Sequence, residues 1–136
     1  DIRRDQPCGI FCFSQIPLAT CDAGDVFARA YVRWLEIQYA IAFIRDQLHA
    51  LPGGAVRMPV GTYAPERFAV ALTEGLRGEV CHVAITDAHG RFARYKVVDP
   101  SFHNWTGLAY ALRDQEISDF PICNKSFNLS YCGHDL

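Results

Sequence analysis

No run of about 18 uncharged apolar residues occurs in this sequence, which excludes a helical membrane span of ordinary length. Charge of one sign is equally scarce. Lys and Arg number 13 and Asp and Glu 15, scattered along 136 residues for a net charge of −2. Without a basic patch or an acidic tail, the pattern recommends neither nucleic acid nor a cationic partner. The first residues, Asp1-Ile2-Arg3-Arg4-Asp5, lack the apolar segment of a signal peptide. No glycine-rich phosphate loop is present, and no histidine stands beside a recognisable nucleophile, so neither a nucleotide cradle nor a Cys–His hydrolase has residues to carry it. Half of the residues are apolar, and this length gives a modest core. The expectation is one soluble domain over 1–136.

Six cysteines would permit a disulfide framework in a secreted protein. The apolar content already provides a core, so free thiols are expected. Cys8-x-x-x-Cys12, with Cys21 nearby, is spaced more widely than a metal knuckle, and Cys132-x-His134 with Cys123 is more often structural than ligating. No metal site is expected from either. His82, His89 and His103 read as a strand, a turn and a loop residue, solvated or satisfied by backbone. Asn104-Trp105-Thr106 and Asn128-Leu129-Ser130 fit the glycosylation pattern, which matters only in a secreted protein.

What is present is regular. Residues 1–22, with Pro7, Gly9 and Pro17, predict an extended leading segment without a long helix. From Asp25 to Ala50, Val26, Ala30, Trp34, Ile37, Ile41, Ile44 and Leu48 recur at helical steps. Asp22 or Asp25 can cap this helix and Leu51-Pro52-Gly53-Gly54 ends it. Phe27, Tyr31, Leu35, Tyr39 and Phe43 widen its apolar surface beyond one stripe, so more than one neighbour must cover it. Ala64-Pro65-Glu66-Arg67 could start a helix, while Phe68, Val70 and Leu72 alternate as a strand. Glu79–Thr86 and Phe92–Val98 flank Asp87-Ala88-His89-Gly90 as an antiparallel hairpin, with Gly90 supplying a positive φ and Asp87 bonding its own backbone. Alternation points Cys81, Val83, Ile85 and Asp87 to the buried face. Ser101 or Asn104 can cap a helix through Leu108 to Arg113, and Ser118-Asp119-Phe120-Pro121 opens a shorter one.

Between strand and hairpin lies Glu74-Gly75-Leu76-Arg77-Gly78-Glu79. By spacing alone it reads as a bulged strand with a surface Arg–Glu pair.

Glu74, Arg77, Gly78 and Glu79, then Asp99-Pro100-Ser101-Phe102 and Asn104-Trp105, resemble a motif of the large-subunit family shared by NiFe hydrogenases and the quinone-site subunit of complex I, the NADH-quinone oxidoreductase. Leu76 stands where that family has proline. Gly24-Asp25-Val26-x-Ala28-Arg29 and Val32-Arg33 resemble the start of its long bundle helix. Similarity is densest at 24–36, 74–105 and 117–136, on the formate hydrogenlyase and hydrogenase-4 side. The resemblance favours the strand reading at Phe68 and a three-stranded sheet. It implies an α+β fold: a long bundle helix, a small antiparallel sheet and short C-terminal helices, as the C-terminal fragment of a hydrogenase-like large subunit whose natural chain begins well upstream.

The same resemblance places Arg77 and Glu74 at the wall of the family's active cavity. It sets Asn128 at the aspartate, Ser130 at the first cysteine and Gly133 at the second cysteine of the terminal metal-binding run, when Ser126 and Asp135 are aligned with their counterparts. Cys132 falls one residue out of step. A hydroxyl or a hydrogen cannot replace a bridging thiolate, so Ser130, Gly133 and Asn128 are expected not to bind. No metal or other cofactor is expected in this part and no nickel–iron centre in the parent, with iron–sulfur clusters in a partner subunit. The implied partners are an iron–sulfur small subunit and membrane subunits, at the cytoplasmic face of a membrane, in a reducing compartment. Quinone and NAD enter as properties of the parent complex, assigned to no residue here. This part alone is expected to be inert and to pair as a homodimer through uncovered apolar surface. The other reading is a structural module without redox activity.

Overall fold

The computed structural model describes residues 1–14 and 16–134, apart from the His134 side chain. Its elements run α1 (Ile2–Asp5), a 3-10 turn (Gly9–Cys12), α2 (Val26–His49), β1 (Phe68–Gly75), β2 (Gly78–Thr86), β3 (Phe92–Val98), α3 (Ser101–Ala111), a second 3-10 turn (Ile117–Asp119), α4 (Phe120–Phe127) and α5 (Tyr131–His134). This is the α+β arrangement expected.

Helix α2 begins where the Asp25 carboxylate accepts the Ala28 amide at 2.7 Å, so Asp25 rather than Asp22 is the cap. It ends at Ala50, whose N–H reaches the Asp46 carbonyl, ahead of the Pro-Gly-Gly run. Of its residues only Ala28 is buried. Phe27, Trp34, Ile44 and Leu48 are all more than half exposed, so much of the wide apolar surface read from the sequence is uncovered, while Leu35, Tyr39 and Phe43 are half-buried.

The sheet has the order β1-β2-β3, antiparallel throughout. Its first reversal is Leu76-Arg77, closed by Gly75 opposite Gly78. Its second is Asp87–Gly90, where Asp87 Oδ1 accepts the His89 and Arg91 amides at 2.8 and 2.9 Å. Donation from the Arg91 amide is the main reason this carboxyl titrates below its ordinary range. Gly90 has φ +72°, and a Cβ there would overlap the Tyr63 carbonyl oxygen, so two independent constraints require glycine.

Three expectations need correcting. The Cys81–Val83–Ile85–Asp87 face of β2 is not buried: Ile85 is exposed and the rest are half-buried, because α1 is the main element packed on the sheet. Neither Ser101 nor Asn104 caps α3. The N-cap position is Pro100, without a side-chain cap, and Asp99 just before it accepts the Ser101 amide on Oδ1 at 2.8 Å, while the Ser101 and Asn104 side chains are engaged across the fold. His82 is satisfied by a side chain, its Nδ1 lying 2.8 Å from the hydroxyl of Tyr95 on the neighbouring strand.

The core lies in the C-terminal helices, where Leu108, Cys123 and Leu129 are buried and Trp105, Ala111, Leu112 and Phe127 pack against them. Cys123 is thus a small apolar core residue. All six cysteines are thiols, with Cys8, Cys12, Cys21 and Cys132 exposed.

Candidate functional site: the arginine-lined junction of turn and tail

The Leu76-Arg77 turn carries its arginine toward the tail. Arg77 Nε donates to the Asn128 carbonyl, and the Arg77 carbonyl accepts from Asn104 Nδ2 at 2.8 Å. The turn is therefore tied to α3 and to the end of α4 at once. Glu74 does something else: its Oε2 accepts the Ile2 amide at 3.0 Å and anchors the leading segment. Among the described residues no ion pair joins Arg77 to Glu74 or Glu79, so the surface Arg–Glu pair is not formed.

Asn128 closes α4 in the left-handed conformation, φ 51° and ψ 44°. Its amide donates to the Asn124 and Lys125 carbonyls, and three arginines gather at this end of the helix, two on later carbonyls and one on a hydroxyl. Arg33 Nη2 donates to the Ser126 carbonyl at 2.9 Å. Arg29 Nε donates to Ser126 Oγ at 2.8 Å, with its guanidinium 4.4 Å over the Phe127 ring. Together with Arg77 they place positive charge at the negative end of the helix. Two clefts open beside this cluster. One of about 270 Å³ is lined by Arg29, Arg33, Leu76, Arg77, Asn104 and Phe127. The other, about 430 Å³, is lined by Arg3, Arg33, Glu36, Glu74, Leu76 and Arg77. Reasoning from sequence missed Arg29 and Arg33 as tail-binding residues. Their four-residue spacing on one helix face was the available signal.

The residues aligned with metal ligands are engaged otherwise. Ser130 Oγ accepts the Gly133 amide at 3.0 Å, and the Ser130 amide donates to the fully buried Ser101 hydroxyl at 2.9 Å. Gly133 is buried against Asp99, where an added Cβ would lie 2.6 Å from Asp99 Cβ and 2.8 Å from its Oδ2. A cysteine at 133 could enter only if Asp99 moved, so this donor set does not fit a thiolate-bound soft metal. The Asp135 used in aligning the tail lies outside the described residues, as does the His134 side chain. Among the described residues no three His, Cys, Asp or Glu side chains gather as a metal would require. No described helix is long and apolar enough to cross a membrane.

Comparison with known proteins agrees with this architecture. Residues 56–135 match the family model described as respiratory-chain NADH dehydrogenase, 49 Kd subunit. The chain is 32% identical over 128 residues to the carbon monoxide-induced hydrogenase of Rhodospirillum rubrum, covering 94% of this chain and 36% of that protein. It is 30% identical over 131 residues to formate hydrogenlyase subunit 5 of Escherichia coli, covering 96% and 23% respectively. NADH-quinone oxidoreductase subunit 4 of Thermus thermophilus is 25% identical over 146 residues, covering 88% and 36%. The chain therefore spans only about a quarter to a third of these relatives. In the solved membrane-bound sulfane sulfur reductase, an archaeal respiratory membrane complex, one chain superimposes with a TM-score of 0.85 at 21% identity, over 100% of this chain and 39% of that one. The fold is shared along the whole length, and with the family model matching more than half of it, the chain belongs to the family of the 49 Kd subunit of respiratory-chain NADH dehydrogenase.

Proposed function

We propose that this chain is part of the large subunit of a membrane-associated, hydrogenase-like or NADH-quinone-oxidoreductase-like electron-transfer complex, in which hydrogen bonding has replaced nickel–iron ligation at the tail. The observation that carries the reading is the packing of Asp99 on Gly133, with the Ser130 hydroxyl turned to the Gly133 amide. In this reading Arg77 and Glu74 belong to the wall of the old cavity. Asn128, Ser130 and Gly133 are its closed floor. Electrons would come from iron–sulfur clusters of a partner subunit, with membrane subunits completing the complex at the cytoplasmic face. This part holds no redox centre of its own and is inert alone.

Elemental analysis of the full-length protein, isolated with its partner subunits from nickel-supplied cells, tests the proposal. The expected result is iron from the partner's clusters and no stoichiometric nickel, with the Ser130→Cys/Gly133→Cys double variant gaining none. Stoichiometric nickel in the unmodified protein overturns the reading. The uncovered apolar surface of α2 favours a second reading, a structural module that shapes an interface without redox activity. Electron transfer lost with Arg77→Ala, in a complex that still assembles, would decide against it.

A further inference from the structure

Arg29 is engaged through all three of its guanidinium nitrogens. Nε donates to Ser126 Oγ at 2.8 Å and Nη1 to the Gly24 carbonyl at 2.7 Å. Nη2 reaches Cys123 Sγ at 3.9 Å, and Cζ lies 4.4 Å from the centre of the Phe127 ring. A guanidinium is planar and its donors point in fixed directions. One rigid group therefore ties the loop before α2, α2 itself and α4 to one another. All these contacts lie within the chain, so none depends on what covers its outer surfaces.

Ser126 carries that constraint to the tail. It is buried, its hydroxyl donates to the Cys123 carbonyl while accepting from Arg29, and its own carbonyl accepts from Arg33. Two residues on, the Asn128 amide donates to the Asn124 and Lys125 carbonyls, which fixes Asn128 to the same turn. The Asn128 carbonyl is the one that Arg77 meets, and Ser130 follows with its amide on Ser101.

We infer that Arg29 is the positioning residue of this site: held at Gly24 and Ser126, it sets α4 so that the Asn128 carbonyl meets Arg77 and the Ser130–Gly133 floor stays against Asp99. On the proposed reading of this junction as the old cavity, on which the assignment rests, the long helix shapes that cavity's floor. Arg33, with a single bond to Ser126, is the lesser of the two clamps.

Hydrogen–deuterium exchange of residues 128–133, followed by mass spectrometry on the full-length protein with its partner subunits, tests this beside thiol labelling of Cys123. With Arg29→Ala, exchange there and labelling of the otherwise buried Cys123 should each rise roughly tenfold or more, the effect of losing a hydrogen bond from a charged group. The β2–β3 hairpin should exchange as before. Arg29→Lys should recover little, because one ammonium cannot serve Gly24 and Ser126 from a fixed plane. Arg33→Ala should have the smaller effect. Adding Arg77→Ala to Arg29→Ala should add little, since the bond it removes is already loosened, whereas two independent contributions to stability would add in full. Should Arg29→Ala fail to assemble, Ser126→Ala decides: it removes the hydroxyl that Arg29 meets, leaves the backbone carbonyl to Arg33, and must again loosen the tail. Unchanged tail exchange and Cys123 labelling, loosening of the hairpin along with the tail, or full additivity with Arg77→Ala overturns the assignment. Nickel content plays no part in these readouts, so nickel in the parent would sink the redox reading alone.

Discussion

The C-terminal helices and the distal half of α2 are both rich in apolar side chains, yet only the former bury them. Leu108, Cys123 and Leu129 lie inside a cluster closed by Trp105 and Phe127, while Ile41, Ile44 and Leu48 stand largely in the open. The difference follows from what each has for neighbours. Three short helices fold on one another, and the arginines of the first turns of α2 fasten their end. Beyond Arg33 the leading segment flanks one side of the long helix, where Tyr39 and Phe43 are half-buried, and Ile41, Ile44 and Leu48 on it stay exposed. Helical periodicity fixes which residues share a face, but burial needs a second surface.

The largest effect should come from emptying the compact region. Leu108→Ala removes a side chain that is 3% exposed and should cost about 2–5 kcal/mol in chemical denaturation. Overfilling the same region is next. Gly133→Ala pushes a methyl into Asp99 and should cost about 1–3 kcal/mol, although alanine is the better helix former. On the distal half of α2 almost no effect is expected. Leu48→Ser, at a position 64% exposed, should change the unfolding free energy by no more than about 0.5 kcal/mol. A large loss there would mean that the distal half of α2 is covered, and the contrast between the regions would collapse.

How much of this was legible depended on the range of the interaction. The α2 helix, its stop and a capping aspartate, Asp22 or Asp25, are local, as is the Asp87–Gly90 turn, and each was readable from a few adjacent residues. The strand at Phe68 needed family resemblance, because Ala64-Pro65-Glu66 suits a helix start equally well. The long-range pairs were not readable. Neither Ser101 nor Asn104 caps α3, because their side chains are drawn to Ser130 and Arg77, partners 29 and 27 residues away. Arg29 and Arg33 carried no assigned partner until the fold brought Ser126 of α4 to them, its hydroxyl to Arg29 and its carbonyl to Arg33. For Ser130 and Gly133, resemblance located the positions, but only the fold shows Asp99 in the space a cysteine would need.

Turn, α3 and tail meet at Arg77, and denaturant unfolding of Arg77→Ala beside Arg77→Lys tests that junction most directly. A hydrogen bond from a charged group contributes about 1.5–3 kcal/mol, so Arg77→Ala should exceed the ~1 kcal/mol ceiling of exposed ion pairs. Lysine should recover little, since an ammonium on a flexible stem does not place a donor where the guanidinium Nε meets the Asn128 carbonyl. If both variants unfold like the unmodified chain, Arg77 does not fasten the tail and the junction is not what holds this site together.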